Sequence, residues 1–228
     1  MFFFLRFTLY SLFLVSAPTY GANSLERTLK YEVRLALLSA GDLTFKLSFS
    51  SLVYDFFGEF KTSGIIDRYY SWEGEFAGVG MYTDDWPSTI NYYSRSRSKD
   101  HELKIVLLSP KGVRLLESGS DEFKDLARPA GDDLVSALFF SPDCYRGKYL
   151  NDGEDTFEIQ LLKRLDLTVK SSKTSPAVKC HYKVKDYKGR TRRLNVELDK
   201  TAHGVLASKI RVKLPLLPDI VFKLKEIG

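Results

Sequence analysis

The sequence predicts an all-β protein, mainly antiparallel, whose strands form a curved sheet of half-barrel or barrel-like form with one short helix. Three observations predict it. Apolar and polar residues alternate with a period of two through most of the chain. These short runs are separated at close spacing by Gly, Pro, Ser and Asp turn signals. A single segment, beginning near Asp132, has the features of a helix instead. Parallel α/β folds are excluded, because they need long helical crossovers between strands and the chain has none.

The elements follow in order. Leu29, Tyr31, Val33, Leu35 and Leu37 face one way and Lys30, Glu32 and Arg34 the other. Ser39-Ala40-Gly41 then reads as a turn into Leu43, Phe45, Leu47 and Phe49, so the chain opens with a β-hairpin. A third strand is expected over Leu52 to Lys61 and, after Thr62-Ser63-Gly64, a fourth over Ile65 to Glu73. Residues 74–81 continue the pattern, with Gly78 and Gly80 marking a bend or bulge. Strands over 89–98, 101–108 and 113–117 come next, the last two joined around Ser109-Pro110-Lys111-Gly112.

An acidic linker over 118–131 leads to Asp132 and Asp133, whose carboxylates are placed to cap a helix over Leu134 to Phe140 that Pro142 ends. Further strands are expected over 156–162, 165–170, 177–186, 192–199, 207–214 and 219–225, with Tyr187-Lys188-Gly189-Arg190 as a hairpin tip. Neither an internal repeat nor a second domain boundary is visible.

The first twenty-one residues read as a cleavable signal peptide. Phe2, Phe3, Phe4, Leu5, Phe7, Leu9 and Leu12 to Val15 make an apolar run with Arg6 as its one fixed charge, and Thr19 and Gly21 are the small residues of a cleavage site. The expected organisation is therefore residues 1–21 as signal peptide and 22–228 as a single β-rich periplasmic domain without a transmembrane anchor. Cys144 and Cys180 would then meet an oxidising compartment, and a disulfide between them is the leading reading, two unrelated core thiols the other. The net charge of +5 is unevenly divided. Residues 22–160 carry 16 Lys and Arg against 23 Asp and Glu, and residues 161–228 carry 17 against 6. Lys185, Lys188, Arg190, Arg192 and Arg193 form the densest part of this basic surface, either a site for anionic lipid or an acidic partner, or the solvated side of a sheet. Nucleic acid is not expected as a partner, since the aromatics do not interleave with the basic run.

Several landmarks occur together. Leu29-Lys30-Tyr31-Glu32-Val33, Ala40-Gly41-Asp42, Asp133-Leu134-Val135-Ser136-Ala137-Leu138-Phe139, Asp152-Gly153 and Pro218-Asp219-Ile220-Val221-Phe222 together resemble the exported bacterial family known as domain of unknown function 3108. The resemblance spans nearly all of the chain beyond the leader. It implies an exported, largely β protein related in shape to lipoprotein-carrier half-barrels, and brings no catalytic residues with it. Cys144 and Cys180 do not belong to the family pattern.

The search for chemistry points to binding. His101, His181 and His203 are isolated, so no zinc site is expected, and Asp152, Glu154 and Asp155 lack the spacing of a calcium loop and read as an acidic turn. A nucleophile elbow and a phosphate loop are both missing. Glu73, Asp84 and Asp85 near Trp72 and Trp86 allow a carbohydrate-active enzyme as the least favoured alternative. The positive signal is a surplus of large aromatic residues, which on a curved sheet either fill the interior or line a groove for an acyl chain. Phe45, Phe49, Phe57 and Trp72 are the groove candidates. The expectation is a non-enzymatic envelope protein, needing no cofactor or metal, that holds a lipid or other apolar ligand. A structural protein presenting its basic C-terminal surface to an envelope partner is the alternative.

Overall fold

In a computed structural model of the chain, residues 25–50, 52–83, 86–98, 103–167, 177–201, 204–215 and 218–228 are described. The leader, His101, His203, Asp84 and Asp85 lie outside them. The elements are β1 (Leu25–Leu35), β2 (Leu38–Phe49), β3 (Val53–Thr62), α1 (Gly64–Tyr69), β4 (Trp72–Thr83), β5 (Trp86–Ser98), β6 (Leu103–Ser109), β7 (Gly112–Glu117) and β8 (Lys124–Leu126). There follow β9 (Asp132–Asp133), α2 (Leu134–Phe139), β10 (Tyr149–Asn151), β11 (Thr156–Leu167), β12 (Ala177–Lys185), β13 (Thr191–Thr201), β14 (Gly204–Lys213) and β15 (Ile220–Ile227). They make one open, curved sheet in the order β8-β7-β6-β5-β4-β3-β2-β1-β15-β14-β13-β12-β11-β10-β9. Every pairing is antiparallel except that of β9 with β10.

The two-residue rhythm decides which face is buried. Leu29, Tyr31 and Val33 of β1, Leu43, Phe45 and Leu47 of β2, Tyr54 and Phe56 of β3, and Leu194, Val196 and Leu198 of β13 all lie on the concave side and are buried. Register shifts between Val33 and Arg34, Val79 and Gly80, Leu161 and Lys163, and Glu197 and Leu198 insert bulges that strengthen the bend. Glycine makes room for the rings inside it: a Cβ on Gly58 would stand 2.6 Å from the Phe45 ring.

Helix α2 plugs the concavity. Asp133 caps it, its Oδ1 accepting from the Ser136 amide at 2.8 Å. Phe139 packs edge-on against Tyr31 at 5.2 Å and at a tilt against Phe45 at 5.1 Å, while Phe140 meets Phe45 at 5.4 Å and Phe56 at 5.5 Å. The loop that leaves the helix is tied to β12 by the disulfide between Cys144 and Cys180, both fully buried, with Cα atoms 5.5 Å apart. The open edge of β5 is covered where Arg128 donates to the carbonyl oxygens of Thr89 at 2.9 Å and Ile90 at 3.3 Å.

Three local expectations are corrected. The first turn lies at Ala36 and Leu37 and not at Ser39-Ala40-Gly41, because Gly41 stays inside β2, opposite Val33 at a bulge. Of the strand expected over Ile65 to Glu73, residues 65–69 belong to α1, and only Trp72 and Glu73 are strand, at the start of β4. Gly64 takes a φ of 64°, and Thr62 Oγ1 donates to Asp67 at 2.7 Å while accepting from the Trp72 amide at 2.8 Å, closing a compact loop. The strands expected over 156–162 and 165–170 are, as far as Leu167, the single strand β11, whose bulge interrupts the alternation; residues 168–170 lie outside the described residues.

Candidate functional site

The strands run alternately up and down, so the β1–β2 turn, the α1 loop, the β12–β13 tip and the start of β15 emerge at one end of the half-barrel. At this end the plug does not fill the concavity. A groove of about 410 Å3 lies between the inner face of β1–β4, α2 and β15, lined by Leu35, Leu43, Phe60, Phe76, Val135 and Phe222 among others. Its walls are almost wholly apolar, although Arg34, Thr62 and Asp152 are among the residues that line it. Phe60, Trp72 and Phe76 form one aromatic wall, with centroid separations of 5.0 Å and 6.3 Å. Tyr70, directly after α1, lines the mouth and is exposed to solvent.

Of the four groove candidates, Phe45 and Trp72 line this groove, Phe45 at its buried floor. Phe49 lies at the opposite end, stacked on Tyr82 at 6.4 Å beside a cavity of about 200 Å3. The Arg27 guanidinium stands 5.5 Å from the Phe49 ring. Phe57 points to the outer face, where it is 36% exposed, because it follows the inward Phe56 by one residue. Alternation carried enough information to place Phe57, Phe60 and Phe76. The contribution of α2 through Leu134 and Val135 had no local signal, since it depends on how the helix docks.

A second polar feature sits deeper. Tyr54 donates to Ser136 Oγ at 3.0 Å and stands 2.9 Å from Thr89 Oγ1. Thr89 in turn donates to Asp133 Oδ2. Burial raises both the Asp133 carboxyl and the Tyr54 phenol above their ordinary values. None of the four lines the groove, so the cluster anchors the plug and does not face a ligand. Asp132, its carboxyl raised chiefly by burial, accepts from the Tyr145 hydroxyl at 2.9 Å on the plug's other side.

The remaining sequence candidates are dispersed. Glu73 is exposed on the outer face while its neighbour Trp72 turns inward to the groove, and Trp86 meets Tyr145 at the far end. Asp152 uses its carboxylate to accept from the amides of Glu154 and Asp155, at 3.1 and 2.8 Å, and so closes the turn. Among the described residues no group of three or more His, Cys, Asp or Glu could hold a metal ion. No described helix is long and apolar enough to cross a membrane.

The basic candidates fall on and beside the β12–β13 tip. Lys185, Lys188, Arg190 and Arg193 are exposed and Arg192 is half-buried. Arg190 is held to the Asp186 carboxylate, Nε at 2.6 Å and backbone amide at 2.9 Å. On the outer face Lys183 stands opposite Arg193, and Arg193 opposite Lys213.

An open, strongly curved antiparallel sheet plugged by a short helix places the chain among barrel-like β proteins. It is similar in fold to the solved structure of a β-barrel-like protein of domain of unknown function 1849 from Brucella abortus, with a TM-score of 0.51, 11% identity, and coverage of 90% of this chain and 97% of that one. No family model and no curated protein matches the sequence. The resemblance to domain of unknown function 3108 therefore rests on its residues alone.

Proposed function

We propose that this protein is a non-enzymatic, exported protein of the cell envelope that holds an apolar ligand, a lipid or acyl chain, in the groove between α2 and the inner face of β1–β4. The observation that carries this reading is the apolar character of a groove of about 410 Å3 with an exposed mouth. That volume lies in the range of small-molecule sites. Each methylene moved from water into such a groove contributes about 0.8 kcal/mol, so roughly ten would supply about 8 kcal/mol before the cost of association is met. The almost wholly apolar lining of the groove favours a ligand whose inserted part is a hydrocarbon chain, with any head group left beside Arg34 and Tyr70.

The test uses the fluorescent fatty acid cis-parinaric acid. Wild-type protein should bind it saturably, and Val135→Trp, which places an indole into the groove from a half-buried position, should weaken binding by about tenfold or more while preserving the circular dichroism spectrum. Saturable binding that is unchanged in Val135→Trp would place the ligand elsewhere. No saturable binding by the wild type would remove the reading.

A further inference from the structure

The groove opens where the surface is least like that of an ordinary soluble protein. Leu37 is 91% exposed and Tyr69 80%, and Leu38, Ile65, Tyr70 and Tyr187 are also exposed. All six belong to the β1–β2 turn, the α1 segment or the β12–β13 tip, and so to one end of the molecule. Helix α1 buries none of its residues. Six large apolar side chains at one end mark a contact surface, whereas the same residues scattered singly would mark nothing.

Charge at that end is divided: the β10–β11 turn carries Asp152, Glu154 and Asp155, the last close enough to interact with Lys188, and the side formed by β12–β14 is basic. Lys185 and Lys188 lie at the β12–β13 tip beside Tyr187, and Lys213 ends β14 at the same level. Lys183, Arg193 and Lys213 stand opposite one another across three strands, an arrangement that costs stability in the isolated protein. An anionic surface set against these side chains would relieve that cost. A combination of protruding Leu, Ile and Tyr side chains with flanking lysines fits the interface of an anionic bilayer, where aromatic rings settle at the head-group level and each lysine is attracted to phosphate.

We infer that the mouth end docks onto an anionic phospholipid bilayer, with Leu37 and Tyr69 entering the interface and Lys185, Lys188 and Lys213 meeting lipid phosphates. The inference deepens the ligand-holding reading, since an acyl chain passing between membrane and groove at a docked mouth would not cross water. Docking itself can be measured without any groove ligand.

The experiment is co-sedimentation with vesicles of phosphatidylcholine alone and of equimolar phosphatidylglycerol and phosphatidylcholine. The wild type should sediment with the anionic vesicles, less so at high salt, and remain in solution with the neutral ones. The triple variant Lys185→Glu/Lys188→Glu/Lys213→Glu and the double variant Leu37→Asp/Tyr69→Asp should each lose about tenfold or more in partitioning. The melting temperature of the double variant should stay near that of the wild type, since its substituted side chains are exposed, and that of the triple variant should not fall, since Lys213→Glu also removes a like-charge contact with Arg193. Failure of the wild type to sediment with anionic vesicles overturns the inference. So does unchanged sedimentation of the Leu37/Tyr69 variant, which would mean that the mouth is not what touches the membrane. Val135→Trp should sediment like the wild type, so a failed fatty-acid test and a failed docking test are told apart.

Discussion

At the scale of single residues, Asp133 ties the plug to the sheet. One oxygen caps α2 through the Ser136 amide and the other accepts from Thr89, with the carboxyl fully buried. Asp133→Ala removes a helix cap, at about 1 kcal/mol, and strands a buried hydroxyl, at about 1–3 kcal/mol more. The expected loss is therefore roughly 2–4 kcal/mol in urea unfolding. The pH dependence has a definite sign. Burial raises the carboxyl of the folded protein above its ordinary 3.8. The folded state then binds that proton more tightly than the unfolded chain does, so this residue's contribution is most favourable below the ordinary value and declines as pH rises through the folded one. Asp133→Asn keeps an oxygen for the cap and removes the titration. Its melting temperature, measured against that of the wild type, should improve as pH is raised from about 4 toward neutrality; a difference independent of pH would show that Asp133 does not titrate in this way.

The elements show where local pattern suffices and where it does not. The inner faces of β1, β2, β3, β12 and β13 were legible because each keeps a period of two over most of its length, β2 from Gly41 onward, and one side of each is buried. Capping chemistry at Asp133 and the apolar run to Phe139 were sufficient for α2. Ile65 and Ile66 suggested a strand because β-branched residues favour one, yet Gly64 and the bonds of Thr62 fold the segment into α1. Gly41 read as a turn because turns and bulges draw on the same residue. The groove had no local signature at all, since Val135, Trp72 and Phe222 come together only when α2 docks and the sheet bends. Docking of α2 is also what the disulfide secures. Cys144 and Cys180, 36 residues apart, join the loop after the plug to β12, and the chain-entropy relation gives about 3–4 kcal/mol for a loop of this length. Cys144→Ala/Cys180→Ala should lower the unfolding free energy by that amount and loosen the plug first, seen as faster amide exchange at Leu138 and Phe139 than in β1 and β2. Uniform acceleration across the sheet would mean that the bridge stabilises the fold without holding α2 in particular.

Across the whole molecule, charge is sorted along the chain. Residues 22–160 hold an excess of seven acidic charges and residues 161–228 an excess of eleven basic ones. Much of the basic excess stands on the outer face of β12–β15. Lys179 and Lys209 share Glu197 at 2.9 and 3.7 Å, but Lys183, Arg193 and Lys213 face one another in adjacent strands. Directly opposed like charges cost about 0.2–1 kcal/mol per pair at an exposed position. Two such contacts meet at Arg193, so reversing its sign turns both from repulsive to attractive. Arg193→Glu should raise the unfolding free energy by about 1 kcal/mol at low salt. The gain should shrink as salt is added, because screening at high ionic strength removes most of an exposed charge effect. The wild type should accordingly gain in melting temperature over the same salt series while Arg193→Glu gains less. Wild-type stability that is flat or falling with salt would show that the three cations do not repel one another appreciably. Arg193 would then supply no evidence that the fold tolerates a stability cost in order to keep a surface for an anionic partner.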